Sequence, residues 1–384
     1  TDFAAHSANL TKYAYEGCFT HNPNTRGVRV EIRDGKVAAK AEYATNALGN
    51  TLHSDESFSE DCLNILVVGD SFTTFLGNGA TIDGLVEVEW PYFLKSKLAE
   101  QLGDKIRIKN FGRPSAGVLQ MVDLAAAQCQ VEEPDIVIIA FITRDLLRRR
   151  RYQTTLTVGG GLREVMYADP IERPALSRTL EVGLIDTDIT STWAAERIRD
   201  QESDALLERL KRSYFEQRRR NSRRAFWLFD PARSCLLDWI VTGSVFARFA
   251  SRLGSGPDEH EQPNYKDDRR FRAAAASLRD TGCEILPFML PEQEELIRGQ
   301  YFDRTAMQPR MLNEIEEALG AAPIRLIANI PASPDEIARR FRRTDTDRHP
   351  SLWAMQLYAN AIAQHIVVNS WRAKGFMAMR DSDA

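Results

Sequence analysis

The chain reads LNILVVGDSFT over residues 63–73, and this stretch decides its fold class. The first six residues are mostly apolar, which is typical of a strand buried on both faces of a sheet. We expect the strand to end at Gly69, so Asp70 and Ser71 lie where a parallel strand turns towards its crossover helix. Open α/β folds place their chemistry at this edge, near backbone N–H groups that favour negative charge. Ser71 is therefore a candidate nucleophile, and the alternative is an ordinary turn and helix cap.

Apolar runs and helical patterns alternate on both sides of this strand. Further strands are predicted at 106–109, 135–141, 284–290 and 324–328, and helices at 91–102, 117–128, 309–319 and 351–369. Strands that alternate with helices indicate an α/β fold with a doubly wound, mostly parallel, five-stranded sheet and right-handed crossovers.

The alternation is interrupted twice, which divides the chain into four parts. An alternating pattern with a turn over 28–40 predicts a β-hairpin in an N-terminal extension. An arginine-rich insertion or cap, with the loop Gly159-Gly160-Gly161, shows helical patterns and is predicted to be α-rich. The extension, the first part of the core, the insertion and the second part of the core are assigned to 1–60, 61–150, 151–262 and 263–384.

The composition limits the classes of partner. A net charge of −4 over 384 residues argues against nucleic-acid binding, and no apolar run has the length of a membrane span. The chain begins at Thr1, so membrane contact is expected only through a segment absent from this sequence. Five cysteines without CxxC spacing and scattered histidines predict no metal and no cofactor. An extracytoplasmic (periplasmic) location is favoured over a cytoplasmic one.

His349 is the candidate base for Ser71. It lies in the stretch DTDRHPS (345–351), between the fifth strand and the last helix, and so at the same edge of the sheet. Asp347 is close enough in a loop to accept from the imidazole and orient it, with Asp345 in reserve. An imidazole held in this way can take the proton of Ser71. The alternative is a surface histidine in an acidic loop that caps the helix.

With these two blocks, the chain resembles the SGNH (GDSL-like) hydrolase superfamily. The nucleophile block is Gly69-Asp70-Ser71 and the closing block is Asp347-Arg348-His349. The preceding Asn46-Ala47-Leu48-Gly49 is similar to members encoded with bacterial polysaccharide genes. The resemblance spans roughly 61–146 and 280–370. It implies a flavodoxin-like sheet with helices on both faces, a serine nucleophile, a histidine base, and ester hydrolysis or acyl transfer.

The resemblance also implies an oxyanion hole built from Ser71, Ser115 and Arg144. The family's second-block glycine falls on Ser115, whose backbone N–H can still donate if the turn permits. The third block reads Ile142-Thr143-Arg144-Asp145, so Arg144 replaces the asparagine whose amide completes the hole. An arginine supplies charged N–H donors with a different reach and geometry. It could instead bind a substrate carboxylate, or the activity could be lost.

Asp70, Asp145 and Arg148 are the candidate substrate-binding residues beside the nucleophile. The basic run at 148–151 predicts an anionic partner such as an acidic polysaccharide, and the alternative is a solvated face paired with acidic residues. The expected function is a serine esterase or O-acyltransferase that acts on acyl esters, above all acetyl esters, of carbohydrate or on other small esters. The alternative is a catalytically impaired SGNH-fold protein that binds carbohydrate or serves in assembly.

Overall fold

The computed structural model describes residues 3–6, 10–15, 18–21, 24, 26–33, 36–74, 81–82, 85–86, 89–113, 116–148, 151–158, 161–168, 179–184, 263–304, 306–342 and 349–383. Apart from Asn24, side chains are described at 45–74, 89–113, 116–148, 263–304, 306–342 and 349–379.

Five parallel strands form the central sheet, as the sequence predicts. Their order across the sheet is β15 (Ile324–Arg325), β14 (Glu284–Met289), β10 (Ile136–Phe141), β6 (Leu63–Gly69) and β9 (Ile106–Gly112). The chain starts near the middle of the sheet, moves to one edge with β9, and returns past β6 to the other edge. This order is the doubly wound arrangement, and it brings the carboxyl ends of β6, β10 and β14 side by side.

Helices cover both faces of this sheet, which confirms the predicted layers. They are α1 (Trp90–Leu102), α2 (Val118–Glu132), α3 (Arg269–Asp280), α4 (Gln293–Arg298), α5 (Gln308–Leu319), α6 (Pro334–Arg340), α7 (Leu352–Asn369) and α8 (Trp371–Asp383). Ile65 and Val67 of β6 face the core beneath α1 and α7, whereas Leu66 and Val68 face the core beneath α2, α3 and α5. A strand that is buried on both faces has to be apolar at every position, as β6 nearly is.

Two core strands differ in length from their predictions by about three residues. β9 continues to Gly112 because Lys109 and Asn110, which break the apolar pattern, are buried with partners. The Lys109 ammonium, for example, lies 2.6 Å from the Glu132 carboxylate. β15 stops at Arg325, because the Leu326 N–H donates to the Tyr301 hydroxyl at 3.0 Å and a 3₁₀ turn follows.

The N-terminal hairpin is confirmed and forms part of a small antiparallel sheet. β4 (Arg26–Arg33) pairs with β5 (Lys36–Ala44), and β1 (Phe3–His6) pairs with β4 on its other side. Two shorter hairpins are formed by β2 (Leu10–Tyr15) with β3 (Cys18–His21) and by β7 (Thr81–Ile82) with β8 (Leu85–Val86).

The prediction of an α-rich insertion is wrong over residues 151–184. β11 (Arg151–Val158), β12 (Gly161–Ala168) and β13 (Thr179–Leu184) form an antiparallel sheet there. Threonine, valine and tyrosine are frequent in these stretches and favour strands. The pairing of β11 with β12 includes Val158 and Gly161, whereas Gly159 and Gly160 of the predicted glycine loop lie outside the described residues. The helical patterns further along the insertion lie outside the described residues, and the four-part division stays a prediction.

Within the part of the chain that the structure describes, no helix has the length and apolar character needed to cross a membrane.

Candidate active site

Ser71 lies in the turn that follows β6, at the carboxyl edge of the sheet. The Asp70 carbonyl accepts from the N–H groups of Thr73 and Thr74, both at 3.1 Å. The Asp70 carboxylate also accepts from the Phe72 N–H at 2.8 Å. The turn is therefore held both by its backbone and by the side chain that precedes Ser71.

This turn requires glycine at position 69. A Cβ atom there would lie 2.1 Å from Thr73 Oγ1 and 2.7 Å from the carbonyl oxygen of Ala140. Both distances are far below van der Waals contact, so a larger residue would push the turn away from β10. The glycine of the Gly69-Asp70-Ser71 block thus has a steric reason: it lets the turn pack directly on the neighbouring strand.

The structure brings Ser71 and His349 together. Ser71 Oγ lies 2.9 Å from His349 Nε2, and the Phe72 ring packs against the imidazole with centroids 5.6 Å apart. Just beyond His349, Pro350 forms a β-bridge with Arg342. With Nε2 unprotonated, the imidazole can accept the serine proton, which is the geometry that a general base requires.

Two predicted site residues lie outside the described residues. Asp347, with its reserve Asp345, falls within 343–348, and Ser115 falls within 114–115. Their roles as the orienting carboxylate and as an oxyanion donor therefore stay predictions.

Asp70, Asp145 and Arg148 form a buried ion cluster beneath the Ser71 turn, here called the two-acid cluster. Arg148 Nη1 lies 3.1 Å from Asp70 Oδ2 and 2.5 Å from Asp145 Oδ1. Both carboxylates are fully buried. The second oxygen of Asp145 accepts from the Ile142 N–H at 3.0 Å. The three residues thus join the turn after β6 to the turn after β10, while a substrate-binding role for them stays a prediction.

Burial and mutual charge shift the pKa values in the two-acid cluster. Burial, followed by the negative charge of Asp70, raises the pKa of Asp145 well above its usual value, against the lowering effect of Arg148. Burial alone would lower the pKa of Arg148, but the charges of Asp145 and Asp70 outweigh it and raise that pKa. The cluster therefore favours the charged form of Arg148 and disfavours ionisation of Asp145.

Arg144 belongs to a second group, here called the two-arginine cluster, which consists of Glu292, Arg144 and Arg304. Arg144 Nη2 lies 2.5 Å from Glu292 Oε1, and its Nε donates to Glu292 Oε2 at 3.2 Å. Arg304 also pairs with Glu292 Oε2. Glu292 is buried, whereas the Arg144 side chain is 35% exposed. The predicted oxyanion arginine is thus bound at two points by a carboxylate.

Glu292 and Glu295, which contact Arg144 and Thr143, were not predicted as site residues. Glu295 is fully buried, accepts from the Thr143 hydroxyl at 2.6 Å, and has its pKa raised by burial. The available signal was the acidic stretch PEQEE (291–295) directly after the strand predicted at 284–290. Acidic residues at the carboxyl end of a strand beside β10 could have been matched with Arg144.

Polar side chains connect the loop before β6 with residues 110–113, which lead to Ser115. Asn50 Oδ1 accepts from Arg113 Nη2 at 2.8 Å, and Ser54 Oγ accepts from the Asn110 N–H at 2.8 Å. Asn110 Nδ2 in turn donates to the Thr73 carbonyl at 3.1 Å. These contacts connect the turn that carries Ser71 with the segment that leads to Ser115.

Among the described side chains, no group of three or more His, Cys, Asp or Glu residues is arranged to hold a metal ion.

The fold and the site define an α/β protein with a serine–histidine pair at the carboxyl edge of its sheet. A family model described as GDSL-like lipase/acylhydrolase matches residues 65–165. Over these residues the chain is similar to that family. The match supports esterase or acylhydrolase activity. No curated protein matches the chain significantly.

Solved structures of lipases and esterases are distantly similar to the chain. An acetylxylan esterase from Geobacillus stearothermophilus is 12% identical, with 81% of this chain and 96% of that one covered, at a TM-score of 0.36. A GDSL-like lipase from Parabacteroides merdae is 13% identical, with 83% and 98% covered, also at 0.36. A lipase/acylhydrolase from Enterococcus faecalis is 13% identical, with 79% and 95% covered, at 0.33.

Proposed function

We propose that the protein is a serine esterase or O-acyltransferase that acts on acyl esters of carbohydrate, above all acetyl esters, through an acyl-enzyme. The observation that carries this proposal is the 2.9 Å separation between Ser71 Oγ and His349 Nε2. A hydroxyl and an imidazole at this distance form the nucleophile and base of an acyl-transfer site.

In the proposed reaction, His349 takes the proton of Ser71 while the serine oxygen attacks the ester carbonyl. The negative charge that develops on the carbonyl oxygen is stabilised by the backbone N–H groups of Ser71 and Ser115 and by the Arg144 guanidinium. His349 then protonates the departing sugar oxygen, which leaves the acyl group on Ser71. Water or a second sugar hydroxyl attacks this acyl-enzyme, with the same histidine as base. Asp347 orients the imidazole throughout.

The carbohydrate part of the proposal is supported by the loop before β6. Asn46, the first residue of the stretch that resembles polysaccharide-associated members, accepts from the N–H groups of Leu48 and Asn50, both at 3.0 Å. Asn50 then contacts Arg113, next to the predicted oxyanion turn. The stretch 46–49, which resembles polysaccharide-associated members, is thus connected through Asn50 to Arg113, near the proposed oxyanion donor Ser115.

Labelling with a fluorophosphonate probe tests the nucleophile. We expect the folded parent chain to be labelled, and Ser71→Ala to abolish the labelling. Ser277→Ala, on the outer part of α3, is the matched control and should be labelled like the parent. An unlabelled, well-folded parent that also leaves aryl acetates intact would favour the alternative, a non-catalytic carbohydrate-binding or assembly protein. The replacement of the family's asparagine by Arg144 is the observation that favours this alternative.

A panel of acetylated glycans tests the substrate class. Released acetate indicates hydrolysis, whereas acetyl groups on an added oligosaccharide indicate transfer, and both should depend on Ser71. If only small aryl esters react, the esterase proposal stands and the carbohydrate assignment is withdrawn.

A further inference from the structure

We infer that Glu292 is the positioning residue that lets Arg144 serve the reaction in place of the family's asparagine. The inference rests on the proposed function and names a residue that this function did not yet include. It is carried by the contacts between the start of α4 and the 3₁₀ turn after β10 (Thr143–Leu147).

Two contacts join these segments. Arg144 meets the Glu292 carboxylate through Nη2 at 2.5 Å and through Nε at 3.2 Å. The neighbouring Thr143 hydroxyl donates to Glu295 at 2.6 Å. Glu295 also accepts from the Glu292 N–H at 2.8 Å, which fixes the backbone of Glu292 at the start of α4. Glu292 therefore has a fixed backbone position from which its carboxylate binds Arg144.

The length of the arginine side chain explains why such an anchor is needed. The family's asparagine is short, and its amide is placed by the backbone alone. An arginine has four rotatable bonds, and only a two-point contact with a carboxylate fixes the plane of its guanidinium. Since Nε and Nη2 of Arg144 are both used by Glu292, Nη1 is the nitrogen that has no partner within the described residues. The two N–H groups of Nη1, together with the second N–H of Nη2, are thus the donors that remain for a developing oxyanion.

Arg304 keeps the Arg144 charge from being cancelled. A one-to-one ion pair would be neutral, but Glu292 is shared with a second guanidinium. The two-arginine cluster therefore has a surplus positive charge at the sheet edge. A preorganised positive charge there stabilises a transition state more than a ground state, because the negative charge develops only during the reaction.

The test is Glu292→Gln, assayed as kcat and KM on an aryl acetate. The expected result is a fall in kcat of about tenfold or more with KM within about twofold of the parent, because a mispositioned donor affects the transition state alone. Glu294→Gln is the matched control, since Glu294 lies on the same helix, pairs with Arg342 and is 41% exposed. This control should keep both constants.

A double-mutant comparison separates positioning from general structural support. In an Arg144→Asn background, adding Glu292→Gln should leave kcat unchanged, because Glu292 then has no guanidinium to position. The inference is overturned if Glu292→Gln keeps the parent kcat, or if it lowers kcat equally in both backgrounds. If Glu292→Gln does not fold, Arg144→Lys tests the same contact, because lysine keeps the positive charge but cannot bind the carboxylate at two points. We expect kcat of Arg144→Lys to fall about fivefold or more. An unchanged kcat overturns the inference.

These outcomes are distinct from a failure of the proposed function. If the function is wrong, the parent chain itself is neither labelled nor active, and Ser71→Ala behaves like the parent. If only the Glu292 inference is wrong, the parent is active and Ser71-dependent while Glu292→Gln is as active as the parent.

Discussion

The two-acid cluster and the two-arginine cluster lie at the same edge of the sheet but have opposite compositions. In the first, Arg148 is the cation that the described residues offer to Asp70 and Asp145, both of which are fully buried. In the second, a buried Glu292 faces two arginines that are each a quarter to a third exposed. The first has two buried acids for one cation, which raises the pKa of Asp145, and it fixes the turns around Ser71. The second has surplus positive charge near the surface, where an anionic transition state could use it.

The largest expected effect is that of Arg148→Met. Removing the cation leaves two buried carboxylates without compensation, and breaking a buried ion pair in this way costs about 3–5 kcal/mol. We expect the free energy of unfolding in urea to fall by this amount, together with the labelling of Ser71, whose turn the cluster holds. Arg298→Met, at an exposed position of α4, is the control and should change stability by less than about 0.5 kcal/mol. A loss below about 1 kcal/mol for Arg148→Met would contradict the importance assigned to the cluster.

The corresponding deletion in the two-arginine cluster should be milder. Arg304→Met removes one cation from Glu292, but Arg144 still satisfies the carboxylate at two points. We therefore expect a loss of about 1–2 kcal/mol in the same urea experiment, clearly less than for Arg148→Met. Equal losses for the two variants would show that the composition of the clusters does not determine their stability.

Asp145 provides a pH test of the two-acid cluster. Its pKa is raised in the folded state, so the protonated form is favoured by folding. The contribution of Asp145 to stability is complete below its pKa in the unfolded chain, which is about 4. It is lost as the pH rises above that value, since the unfolded chain then releases the proton more readily than the folded one. The stability of the parent relative to Asp145→Asn should therefore decline from pH 4 towards pH 7, by about 1.4 kcal/mol for each pH unit over which the folded carboxyl keeps its proton. Urea midpoints at several pH values measure this difference, and a flat profile would contradict it.

The two clusters also differ from the central strand in how far they can be predicted from the sequence. The central strand, Ser71 and His349 could be predicted because a buried apolar run, a glycine and a polar turn are local signals, and strand order then brings loops to one edge. The ion pair of Arg144 could not be predicted, because Glu292 lies 148 residues away in the sequence. Ion pairs leave no periodic pattern in a sequence that would indicate which residues meet. β9 was predicted to end at Lys109 for a similar reason, because the partners that permit burial of Asn110, namely Ser54 and Thr73, lie far away in the sequence.

The smallest expected effect is a difference in salt dependence between the clusters. The arginines of the two-arginine cluster are partly exposed, so salt screens their attraction to Glu292, whereas the carboxylates beside Arg148 are fully buried and are screened much less. Raising the ionic strength from about 0.05 M to 0.5 M should therefore reduce the destabilisation caused by Arg304→Met by a few tenths of a kcal/mol. The destabilisation caused by Arg148→Met should stay constant over the same range. Urea denaturation of both variants at each salt concentration measures the two responses. If both respond alike, the clusters have the same access to solvent, and the two-arginine cluster has no charge that a substrate could reach.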